Sequence, residues 1–139
     1  MLVTQGRVPG RPSEQKTATF TGAVHMDPVM SADGVMVNTV VFTPGARTYW
    51  HSHPGGQLLI VTAGRGVVAD RDGEAHVVGS GDVIWAEAGE EHWHGACGDS
   101  LLVHTAVSHG TTQWRDEVGE DDYAAAQRAA PPTAPAAAR

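Results

Sequence analysis

Residues 45–64 read GARTYWHSHPGGQLLIVTAG and carry the side chains His51, His53 and Gln57. His51 and His53 are two apart. On a strand, alternate side chains share a face, so both imidazoles point the same way. Gln57 keeps that parity if the strand continues. The triplet then offers two nitrogens and one oxygen to a single ion. A third nitrogen is expected from His92, in the second histidine cluster, His92-Trp93-His94. Imidazole combined with an amide or carboxylate oxygen suits Mn, Fe, Co, Ni, Cu or Zn, and spacing alone does not choose among them. A lone strand histidine is more often an ordinary polar residue than a ligand. Clustering argues for metal here.

Outward from this stretch the chain breaks into short apolar runs. Thr19–His25, Val35–Thr43, Leu58–Thr62, Gly66–Ala69, Ala75–Val78, Val83–Glu87 and Leu101–Val107 are rich in Val, Ile and Thr, as strands are. Ala32-Asp33-Gly34, Pro44-Gly45, Ala63-Gly64, Arg71-Asp72-Gly73, Gly79-Ser80-Gly81 and Gly98-Asp99 are turn signals between them. Short strands at this spacing predict an all-β sandwich or barrel. Residues 1–17 are polar and read as an N-terminal arm, with the barrel over 18–118. A short C-terminal helix is expected over 119–130, and the Ala/Pro-rich residues 131–139 read as a disordered tail.

The chain has 139 residues, 41% of them apolar, which suits one domain with a usable core. Its net charge is −7 and no basic cluster occurs. Nucleic acid and anionic membranes are therefore poor partners. Cys97 has no second cysteine to bridge to. No apolar run approaches the ~18 residues of a membrane span, and Met1–Gly10 lacks the apolar run of a secretion signal. The expectation is a cytoplasmic protein acting on a small-molecule substrate.

The histidine stretch resembles the first motif of the cupin superfamily, G-x5-H-x-H-x3,4-E-x6-G. Gly45, His51, His53 and Gly64 match its spacing, with Gln57 where the motif has Glu. Gly81, Gly89 and His92 match the second motif, G-x5-P-x-G-x2-H-x3-N, with Glu87 and Ala96 in place of Pro and Asn. The resemblance implies a cupin barrel, a double-stranded β-helix or jelly roll. The runs 20–22, 44–48, 50–54, 59–64 and 92–96 look like the small single-domain cupins that include bacterial hydroxynitrile lyases. That group implies a ligand set of His51, His53, Gln57 and His92 around one divalent ion. Manganese is the usual ion, with Fe2+, Zn2+, Co2+ and Ni2+ as alternatives. It also implies a homodimer or homotetramer.

A neutral Gln57 leaves the site a formal charge of +2 where Glu would leave +1, so the metal is a stronger Lewis acid. It also removes a carboxylate base. His104 is the candidate replacement, because it shares a strand face with Leu102 and Ala106 and imidazole suits general base work near neutral pH. The lyase resemblance places a histidine there as well. His94 has the parity of His92 and is expected in a supporting role. Trp50, Trp93 and Arg47 are candidate substrate or outer-sphere contacts, although Trp50, Trp85 and Trp93 also suit plain packing. His25, His76 and His109 read as surface or strand-end residues. The implied activity is cleavage of aromatic cyanohydrins to aldehyde and cyanide. A metal-dependent dioxygenase and a non-catalytic binding cupin are the alternatives.

Overall fold

A computed structural model describes residues 1–129 and residue 131. Among them are twelve strands: β1 (Glu14–Lys16), β2 (Phe20–Thr21), β3 (Val24–Ala32), β4 (Val35–Phe42), β5 (Arg47–Thr48), β6 (His51–Ser52), β7 (Gln57–Asp70), β8 (Ala75–Gly79), β9 (Val83–Ala86), β10 (His92–Ala96), β11 (Leu102–His109) and β12 (Gln113–Trp114). One helix follows, α1 (Glu120–Gln127). Every strand pairing is antiparallel. The fold is the expected all-β barrel with a short C-terminal helix. Within the N-terminal arm, β1 pairs with β3. Ala130 and residues 132–139, the end of the expected helix and most of the expected tail, lie outside the described residues.

The sequence suggested two strands, 58–62 and 66–69, separated by a turn at Ala63-Gly64. The structure has one 14-residue strand instead. Its first half pairs with β9 and β11, and its second half with β8 and β10. β7 thus passes from one sheet to the other and makes a corner of the barrel. The bend falls at Gly64, where φ is +78° and a Cβ would stand 1.9 Å from the Leu101 carbonyl oxygen. Only glycine fits that position. Its turn signal is real but marks a corner rather than a chain reversal.

The sheets face each other across an apolar interior. Phe42, Leu59, Val61, Val24 and Leu102 are among its fully buried members. A second cluster lies outside the β7–β10 layer, where Trp50, Val67, Trp93 and Val118 pack with Tyr123 and Ala126 of α1. β10 therefore has both faces covered, and all five of its residues are buried. The Tyr123 hydroxyl ties the helix down by donating to the Ala96 carbonyl at 2.6 Å. No helix is long and apolar enough to cross a membrane among the described residues.

Candidate metal centre

Three strands bring the expected ligands together. His51 of β6 stands directly opposite His92 of β10 in register, and their ring centroids are 4.4 Å apart. His53 follows β6 immediately, with its ring 5.0 Å from His51. The ligating nitrogens of these three histidines lie within 4.8 Å of one another. Gln57 arrives by a different route from the one expected. The strand does not continue past His53, because Gly56 closes a turn onto the His53 carbonyl at 3.1 Å. Gln57 then opens β7 in the facing sheet. It reaches the histidines across the barrel, with Oε1 3.0 Å from His92 Nε2.

The hydrogen bonds orient the rings. His51 Nδ1 donates to the Tyr49 carbonyl at 2.9 Å, and His92 Nδ1 donates to the Glu90 carbonyl at 3.0 Å. A carbonyl can only accept, so each ring keeps its single proton on Nδ1 and turns a bare Nε2 inward. His53 Nδ1 lies 3.3 Å from the Thr112 hydroxyl, and its buried Nε2 has no partner. Burial lowers all three from the ordinary imidazole range, and neighbouring histidines add to it at His51, which falls well below that range, and at His53, which falls to about 4. Neutral imidazole is the ligating form.

These observations fit a cation. His92 Nε2 and Gln57 Oε1 sit 3.0 Å apart with a lone pair on each, a repulsive contact unless a positive charge lies beside both. That separation also suits neighbouring donors on an ion with ligands at about 2.1 Å. Gln57 is held for the role, because its Nε2 donates to Ser108 Oγ at 2.9 Å and the carbonyl oxygen is thereby aimed inward.

His94 and His104 form a second pair beside the ligands. His104 Nε2 and His94 Nδ1 are 3.0 Å apart, while His94 Nε2 and His104 Nδ1 are buried without partners. Burial holds His94 well below the ordinary range and lowers His104 to about 4. Of the two rings, His94 lies nearer the ligands, with its centroid 5.1 Å from His51. Both rings, with His51, His53 and Gln57, line a cavity of about 70 Å³.

The aromatic surface of this cavity comes from Phe20, Phe42 and Trp114. This corrects the expectation for Trp50 and Trp93, which lie in the cluster under α1. The reason is strand parity: each neighbours an inward-facing histidine, so its own side chain faces out. Arg47 is corrected likewise. Its guanidinium donates to the Val118 carbonyl at 3.1 Å and to the Glu120 carboxylate at 2.9 Å, and lies over the Tyr123 ring. It fastens the helix. Ser108, Thr112 and Trp114 were missed in the sequence. Ser108 could have been found, since it is two residues past Ala106 on the face of His104. Thr112 and Trp114 follow an irregular turn and carry no periodic signal.

A family described as the cupin domain matches residues 38–108, just over half of the chain. The chain belongs to the cupin family. Among relatives of this cupin, a protein named (R)-mandelonitrile lyase from Granulicella tundricola is 41% identical over 111 residues, covering 75% of this chain and 85% of its own. A cupin-like protein from Thermotoga maritima is 37% identical, with a TM-score of 0.80 over 87% of this chain and 98% of its own. A second Thermotoga maritima structure, of a predicted oxalate decarboxylase, shares the fold at 22% identity and a TM-score of 0.68, covering 79% of this chain and all of its own. The chain is thus a small cupin resembling hydroxynitrile lyases.

Proposed function

We propose that this cupin is a metal-dependent carbon–carbon lyase that splits aromatic cyanohydrins into an aldehyde and cyanide and, in reverse, joins them. Manganese is the proposed ion. One observation carries the reading: a neutral four-donor cradle has three of its donors, His51, His53 and Gln57, in the same cavity as a separate histidine pair that keeps two buried nitrogens unpartnered. The 41% identity to a protein named (R)-mandelonitrile lyase supports it.

A divalent cation in the cradle supplies Lewis acidity toward the substrate hydroxyl oxygen. His51, His53, Gln57 and His92 would hold it. The proton is the work of His94 and His104. Two neutral imidazoles joined by one N–H···N bond leave one bare lone pair and one N–H, whichever ring donates. His104 acts as the base with His94 sharing its proton, so the pair takes the hydroxyl proton without creating an isolated buried charge. As the O–H pair becomes the second C–O bond, the C–C pair leaves with cyanide, and one proton completes HCN. Phe20, Phe42 and Trp114 receive the aromatic ring and exclude water from the reacting atoms.

Benzaldehyde release from (R)-mandelonitrile by manganese-loaded protein tests the reading. The His104→Ala variant is expected to lose about 10²- to 10⁴-fold in kcat at unchanged metal content. Release by the loaded wild type no faster than by metal-free protein overturns it.

A further inference from the structure

Apart from the histidines, the polar side chains around the cavity are almost all engaged. Thr48 Oγ1 accepts from the His94 main-chain N–H, Ser108 Oγ accepts from Gln57, and Thr112 meets His53. Asn38 also lines the cavity, and its amide takes part in no hydrogen bond among the described residues. It stands on β4 directly opposite Ala106 of β11. His104 and Ser108 lie two residues to either side of Ala106, on the same face and within reach of a diagonal cross-strand contact. The small Ala106 side chain leaves the amide open to the space beside the His94–His104 pair.

Cyanohydrin cleavage sends a full negative charge away with the nitrile carbon. No Lys or Arg lines this cavity among the described residues, so beyond the protonated histidine pair only neutral donors are left to meet that charge. A free carboxamide brings two N–H donors and no charge of its own to desolvate.

We propose that Asn38 is the leaving-group residue: its amide binds the nitrile nitrogen of the cyanohydrin and stabilises cyanide as it departs, and in reverse it seats incoming cyanide. The inference rests on the lyase reading above and adds to it a class of accepted leaving group, a small linear anion. In the step itself the hydroxyl proton goes to the histidine pair, the O–H electrons form the carbonyl, and the C–C electrons leave on cyanide. Asn38 neither gains nor loses a proton. It donates a hydrogen bond that strengthens as charge builds on the cyanide nitrogen.

Two variants test this in manganese-loaded protein of equal metal content. Asn38→Leu keeps the volume and removes the donors, and Asn38→Asp keeps the shape and removes the N–H groups. Each is expected to lower kcat for mandelonitrile cleavage by about 10- to 100-fold with KM changed less than about threefold. Azide, a linear anion that is not turned over, is expected to bind each variant about tenfold more weakly by calorimetric titration. Product inhibition by benzaldehyde, which has no nitrile, is expected to be unchanged. Azide affinity equal to that of the wild type overturns the assignment, whether or not the wild type cleaves cyanohydrins. Weakening of azide and benzaldehyde together also overturns it, since that marks a packing role. A wild type that binds azide through Asn38 yet cleaves no cyanohydrin retires the lyase reading and leaves a binding site for small anions.

Discussion

Gln57 concentrates the chemistry of the site in one amide. Its oxygen faces the ligand histidines and its nitrogen donates to Ser108 Oγ. A carboxylate in its place would bind metal without orientation, because both oxygens are equivalent. An amide must be oriented, and Ser108 does this. Replacing Ser108 by Ala frees the amide to turn its N–H groups toward the ion. The expected result is metal affinity about 10- to 100-fold weaker, measured by competition with a chelator, with the thermal midpoint of the metal-free protein little changed. Unaltered affinity would mean that the backbone alone aims Gln57.

The elements around the site are short, and two of them are secured by single residues. β6 and β5 have only two residues each and are held between partners, β6 between β10 and β12 and β5 between β10 and β2. β7 supplies candidate ligand and corner together, with Gln57 at its start and the bend at Gly64. Alanine at Gly64 would combine an unfavourable backbone conformation with a collision against the Leu101 carbonyl. Gly64→Ala is expected to destabilise the protein by about 2 kcal/mol or more, read from denaturant melts. α1 begins without a side-chain cap at Gly119, but Glu120, Asp121 and Asp122 in its first turn suit the helix dipole. Its position comes from Tyr123 and from Arg47. That arginine is nearly fully buried and leaves no N–H group far from an acceptor or an aromatic face.

At the scale of the whole molecule, five histidines are enclosed in a protein of net charge −7. His51, His53, His92, His94 and His104 all titrate below the ordinary imidazole value, with burial the leading cause in each. In the unfolded chain they protonate near the ordinary imidazole value of 6.5. Between about pH 6.5 and 4 the unfolded state therefore binds more protons than the folded one, and stability rises with pH. The metal-free protein is expected to be most stable above about pH 6.5 and to lose stability as pH falls toward 4. Thermal melts check this: the midpoint should drop by more than about 5 °C from pH 7 to pH 5. Bound metal should raise the midpoint at pH 7 and lose that effect in acid, because protons compete for the same nitrogens. A flat midpoint between pH 7 and 5 would contradict neutral burial of the five rings.

The spacing from Gly45 to Gly64 and from Gly81 to His92 was enough to read the barrel from the sequence and to pick out three buried histidines that could hold a metal ion. Strand parity and motif spacing are local properties, and a metal cradle must be locally encoded if short strands are to present it. The sequence also placed His104 on the inward face of its strand. Other features depended on contacts between residues far apart in the chain. Gln57 reaches the histidines from the opposite sheet, and His94 meets His104 across the interior. Phe20, Phe42 and Trp114 come from three separate strands to form one aromatic surface. Trp50, Trp93 and Arg47 looked suited to a substrate because they flank the histidines in sequence. The pleat turns the tryptophans away: α1 gives Trp93 and Arg47 their partners, and the Arg71 guanidinium lies over the Trp50 ring. Adjacency along a strand sets opposite faces, and only the closed barrel decides which face is the site.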